Sequence, residues 1–201
     1  MAEIKSTLEM VLARAEKLAA SATDHVGDEE QERTGMRLAA EYLKEGIANL
    51  EQALSEQSGP SQMAVRAGMA KTLLRNIVLP RDELLRETGK TAIKGLLAIS
   101  GKSREMEAIC KELSQILDQY NQHKEQMTKQ LEDAIQAQLQ QRNPMGEGGD
   151  SLNGQAKLNP ALHPQYREEL GRMLTSLNNQ YNDAMDQRKE MIRQRFSGGS
   201  R

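Results

Sequence analysis

Tryptophan is missing from this 201-residue chain and phenylalanine occurs once, as Phe196; four tyrosines leave the aromatic share at only 2%. That scarcity excludes an aromatic-rich core, and it removes the stacking platforms on which proteins hold unpaired bases. Cysteine also occurs once, as Cys110, so no intrachain disulfide and no multi-cysteine zinc site is available. The three histidines, His25, His123 and His163, have no second histidine or cysteine at helical ligand spacing, and no metal is expected. Long apolar runs are absent too, none approaching the roughly 20 residues a membrane helix needs. The opening MAEIKSTLEMVLARAEKLAA carries early acids and amphipathic spacing in place of a secretory signal, which makes a cytoplasmic protein the expectation. No cofactor and no small-molecule substrate is implied.

What the chain has in quantity is Leu, Ile, Ala and Met, most of which lose little on entering a helix. Their spacing predicts an all-α protein of six helices. Ile4, Leu8, Val11, Ala15, Leu18 and Ala22 form one stripe over residues 3–22; Met36, Ala40, Leu43, Ile47, Leu50 and Leu54 form another over 28–56. Gly59-Pro60 breaks the chain, and a third helix over 61–79 carries Met63, Ala67, Ala70, Leu74 and Ile77. Pro80 suits the first turn of a fourth helix reaching Ile99, whose apolar residues cover more than half its circumference. The third and fourth helices are therefore expected to be the most buried.

After Ser100-Gly101, Ser103 caps a long fifth helix over 103–142, about 60 Å at helical rise. Its seam reads Met106, Ile109, Leu113, Ile116, Tyr120, His123, Met127, Leu131 and Ile135, while glutamine accumulates beside it. Residues 143–163, rich in Gly, Asn and Pro, read as a flexible linker. Pro164 opens a last helix to Phe196, with Tyr166, Leu170, Leu174, Leu177, Tyr181, Ala184 and Ile192 along one side. The expected architecture is a compact four-helix bundle over 1–102, a long antiparallel helical hairpin or coiled coil over 103–196, and a disordered tail over 197–201.

Charge is unevenly spread. Residues 1–60 hold 6 Lys/Arg against 12 Asp/Glu, and residues 61–104 hold 9 against 3. Neighbouring helices of opposite charge pair most simply within the fold, with Glu41 and Glu45 as candidate acids. The other reading is phosphate contact. Arg86, Lys90 and Lys94 form one stripe on the fourth helix, and Lys71 with Arg75 make a similar pair on the third. Such a surface binds nucleic acid or ribosome without reading sequence.

The stretch ETGKTAIKGLLAISGKS, residues 87–103, contains both GKT and GKS. A phosphate-cradling P-loop requires a further glycine five residues ahead, following a buried strand. Those positions are Leu84 and Leu96, both placed by periodicity on an apolar helix face, so the motif reads as helix. Gly89 and Gly95 then admit close approach by another helix. Cys110 has no neighbouring histidine to act as its base, and acidic pairs such as Glu168-Glu169 stand where they favour a helix dipole. No catalytic constellation emerges, and the protein is not expected to be an enzyme.

The function implied is interaction: a scaffold, adaptor or accessory subunit that uses its helical seams to contact another protein or itself. Tyr120, Met127, Leu131, Leu174, Leu177 and Tyr181 are the expected packing or contact surface. The alternative is an RNA- or ribosome-associated module acting through the basic 61–104 segment. Neither EIKSTLEMVLARAEKL at the start nor HPQYREEL before the last helix carries a family signature.

Overall fold

The computed structural model describes residues 28–57, 59–101, 103–142 and 164–197, together with Arg14. Helix is the only regular structure among them, which is the all-α class expected. The expected first helix over 3–22, the linker over 143–163 and residues 198–201 of the expected tail lie outside the described residues, as do His25 and His163.

The helix α1 is described over residues 28–43, and the chain then turns before α2, Leu50–Ser55. The single helix expected over 28–56 is thus two. The Gly46 N–H donates to the Glu41 carbonyl at 2.9 Å and the Glu45 N–H to the Tyr42 carbonyl at 3.1 Å. That pair of bonds closes a helix when the residue past its cap turns left-handed. Here that residue is Glu45, at φ 61°. Glycine, the usual occupant, stands one place later. Asn49 then opens α2, its Oδ1 accepting from the N–H groups of Glu51 and Gln52 at 3.0 and 3.2 Å.

A single 3-10 turn, Gly59–Ser61, leads into α3, Gln62–Arg75. This helix ends four residues short of the expected 79. The Asn76 side chain reaches back to the Thr72 carbonyl at 2.8 Å, and the approach to Pro80 disfavours helical backbone. Pro80 also precedes α4, Glu83–Ile99, and does not form its first turn. Asp82 opens that helix, its carboxylate accepting from the Leu85 N–H at 2.8 Å and its carbonyl from the Arg86 N–H at 3.2 Å. Gly101, at φ 67°, follows the end of α4. The last two helices are α5, Arg104–Arg142, and α6, Pro164–Ser197.

The described residues divide into two compact units at points inside α4, α5 and α6. One takes those of 1–77, 88–110 and 191–201, the other those of 78–87 and 111–190. The sequence pattern places a single boundary, between 102 and 103.

In the first unit Val65, Met69, Leu73 and Ile77, each four residues after the last, are fully buried. Of the stripe expected on this helix, Ala70, Leu74 and Ile77 are buried and Ala67 half-buried, but Met63 is 51% exposed. Ala92, Leu96 and Ile99 of α4, Leu50 of α2 and Ile192 of α6 complete the densest region, so α3 and α4 are deeply buried as expected. A Cβ on Gly95 would stand 3.0 Å from Leu73 and Tyr42 and 3.1 Å from Leu50, which places three neighbouring elements around one glycine. Each such leucine contributes about 2 kcal/mol through removal of its apolar surface from water.

In the second unit α5 and α6 run antiparallel. Contacts pair Glu112 with Arg188, Tyr120 with Asn178 and Glu132 with Tyr166, the numbers falling on one helix as they rise on the other. Leu113, Leu117, Tyr120, Leu177 and Met185 are buried along this seam. Apolar spacing places Ile116 there, but Leu117 is 3% exposed and Ile116 only half-buried. An α-helix turns a little less than a seven-residue repeat requires, so the buried stripe drifts by one position.

Candidate functional site

The hairpin seam brings most of the expected contact residues together, and it turns them inward. Tyr120 and Tyr181 meet edge to face with ring centroids 5.5 Å apart and planes at 70°. The Tyr120 hydroxyl donates to Asn178 Oδ1 at 2.8 Å. The Tyr181 hydroxyl shares a 2.6 Å hydrogen bond with His123 Nδ1, so His123, read as a seam residue, is exposed but tethered. Further along, Leu131, Ile135 and Tyr166 form a buried cluster, with Leu139, Leu170 and Met173 packed against it. Leu177 is buried, and Met127 and Leu174 are half-buried.

Every hydroxyl in the seam is held protonated. Loss of solvent raises the pKa of Tyr120 and of Tyr181. Tyr166 is raised first by desolvation and further by its 3.0 Å hydrogen bond to Glu132 and that carboxylate's charge. Phenols kept neutral remain hydrogen-bond donors at any ordinary pH. This arrangement fixes register; it offers no activated nucleophile. Cys110 lies in the first unit, where burial pushes its thiol up to about 11, far from the range of a reactive thiolate. Among the described residues no three His, Cys, Asp or Glu side chains stand close enough to hold a metal ion.

The basic residues fare differently from one another. Lys71 pairs with Glu32 at 2.9 Å, an acid-to-base link of the kind the charge pattern suggested, although through Glu32 and not the acids named there. Arg86 pairs with Glu83 at 3.3 Å and Asp118 at 3.6 Å, and the bond and charge of Glu83 raise its pKa. Lys90 is half-buried, whereas Arg75 and Lys94 are exposed. Arg86 belongs to the second unit and the other four to the first.

Gly89 and Lys90 lie in the middle of α4, and Gly101 is the left-handed residue after its end. GKT lies within the helix and forms no loop that wraps a phosphate, whereas Lys102 of GKS lies outside the described residues. Leu84, however, does not face a core: it is 77% exposed in the first turn of α4. A helix's first turn is anchored only on its C-terminal side, and here the cap at Asp82 sets which residues turn outward.

A family model matches residues 51–194, more than two thirds of the chain; it describes DUF6657, a family of unknown function. The chain belongs to the DUF6657 family. No curated protein and no solved structure matches it. The DUF6657 match takes in the whole hairpin seam and all five candidate cations, and it leaves out α1. No described helix is long and apolar enough to cross a membrane.

Sequence reading passed over two arginines, Arg66 and Arg195, which line one cavity of the first unit. Single arginines on polar helix faces give no signal in a sequence, and these two stand on helices far apart along the chain.

Proposed function

We propose that this protein is a non-catalytic interaction protein, a scaffold, adaptor or accessory subunit whose helical hairpin is the contact arm. One observation carries the reading. The seam residues engage each other within the chain, while Gln115, Gln119, Gln122, Gln126 and Gln130 form an exposed stripe along α5. Seam packing makes the arm self-supporting. The amide stripe then offers paired donors and acceptors at helical spacing to a second polar helix, from another protein or from a second copy.

The experiment is light scattering on the purified chain beside a tagged pull-down at native expression. A defined oligomer or a stoichiometric partner, lost on the double substitution Gln119→Glu and Gln126→Glu, supports the reading. A strict monomer that captures nothing overturns it. The alternative, RNA or ribosome contact, rests on the exposure of Arg75 and Lys94. It predicts nucleic-acid binding that falls steeply with added salt and falls further in Lys94→Glu.

A further inference from the structure

We propose that the first unit carries two reversible oxidation sites, Met63 of α3 and Met191 of α6, whose thioethers take oxygen from hydroperoxides while the buried cysteine of the same unit, Cys110, is passed over.

The chain has eleven methionines, eight of them among the described residues. Met69, Met106 and Met185 are buried, and Met36, Met127 and Met173 are half-buried. Met63 and Met191 stand apart from these, 51% and 43% exposed. A helix wraps its backbone in its own side chains, so exposure on that scale is mostly that of the side chain. A thioether needs no deprotonation before it reacts, and access then decides which methionine meets the oxidant.

Cysteine is ordinarily the faster target, but it reacts as the thiolate. Cys110 is closed to solvent, and the same burial pushes its thiol up to about 11, so it is both unreachable and protonated near neutral pH. The usual order of reaction is thereby reversed.

The chemistry balances without any group beyond the hydroperoxide. Its O–O bond breaks, its terminal oxygen bonds to the thioether sulfur, and sulfur gives up two electrons. The rest of the oxidant leaves as water, or as an alcohol where the oxidant is organic. A dithiol reverses the step: the sulfoxide oxygen departs as water and the two thiols close to a disulfide.

Position makes the change tolerable. Met63 lies off the buried row of Val65, Met69, Leu73 and Ile77, and Met191 turns outward beside the fully buried Ile192. A sulfoxide at either site meets water. At Met69 or Met106 the same polar oxygen would enter the core. This inference goes beyond the interaction reading and stands independently of it.

Hydrogen peroxide treatment of the full chain, followed site by site by peptide mass spectrometry, tests it. Met63 and Met191 are expected to gain oxygen at least about fivefold faster than Met69, Met106 and Met185, with the helical circular dichroism retained. In urea the five should react at similar rates, because the fold alone separates them. Cys110 should remain fully available to alkylation once the peroxide-treated chain is unfolded. Methionine sulfoxide reductases for both sulfoxide epimers, supplied with a dithiol, should return both peptides to their starting mass. Met63 or Met191 reacting no faster than the buried three overturns the proposal. So does oxidation of Cys110 ahead of either, loss of helix when only these two sites are oxidised, or sulfoxides that the reductases leave in place.

Discussion

Gly35 on α1 and Gly68 on α3 let the two helices meet backbone against backbone. A Cβ on Gly35 would lie 2.0 Å from the Val65 carbonyl oxygen, and one on Gly68 would lie 2.0 Å from the Glu32 carbonyl oxygen. The contacts are reciprocal, each glycine resting on the other helix's main chain. No side-chain adjustment can relieve a clash of that kind, because the opposing atom is fixed by its own helix. The contact also brings Glu32 near α3, where it pairs with Lys71.

Alanine at position 68 is therefore expected to destabilise the protein by about 2 kcal/mol or more. Overpacking costs about 1–3 kcal/mol, and a backbone clash belongs at the top of that range or beyond it; the gain in helix propensity returns about 1. Gly171 is the internal control. It lies exposed within α6, with nothing within 4 Å of where a Cβ would stand, so Gly171→Ala should stabilise by about 0.5–1 kcal/mol. Urea unfolding of both variants checks the pair. Equal and small effects would sink the backbone-contact account.

Glu45 is the one non-glycine described residue with positive φ, at 61°. An L-residue there is strained by about 1–2 kcal/mol, and glycine relieves the strain at some cost in the entropy of the unfolded chain. Glu45→Gly should raise stability by about 0.5–1 kcal/mol, while Glu45→Val should lower it. Thermal unfolding distinguishes the two. A valine variant as stable as the parent would show that the turn is not held left-handed in solution.

The helical class and the bounds of the two long helices were legible because apolar spacing and Pro164 are local signals. The break after residue 43 was not, because it depends on a glutamate adopting a glycine conformation, with the glycine one place late. Gly68 was illegible for a related reason. Within one helix it counts only as lost propensity, and its purpose depends on Gly35, which is distant in sequence. At the seam, Tyr120, Leu131 and Leu177 were legible as periodic apolar positions. Their polar partners Asn178 and Glu132 were not, since a polar residue on a helix looks the same whether it faces water or a tyrosine.

The seam's polar lock can be weighed against its packing. Tyr120→Phe keeps the ring against Tyr181 and removes only the bond to Asn178, a loss of about 1 kcal/mol. Leu177→Ala, at a site 5% exposed, should cost about 2–4 kcal/mol. A double-mutant cycle of Tyr120→Phe with Asn178→Ala should return a coupling energy of about 1 kcal/mol. A coupling near zero would mean that the hydroxyl finds water equally well and that register is set by packing.

Cys110 ties stability to alkaline pH. The thiol is 1% exposed, and burial raises its pKa from 9.0 to about 11. Well below pH 9 it is neutral in the folded and unfolded chains alike, so it adds no pH dependence there. Between pH 9 and 11 the unfolded thiol ionises while the folded one stays protonated, and the folded state binds the extra proton. Stability must then fall as pH rises, approaching about 1.4 kcal/mol per unit from this group before levelling off above its folded pKa. The raised tyrosines steepen the loss at higher pH, with the same sign. Cys110→Ala should be less stable than the parent at about pH 7.5 from lost packing, yet should lose less on going to about pH 10.5. Urea midpoints of both chains at the two pH values measure this directly, and parallel losses would show that the thiol already meets solvent in the folded protein.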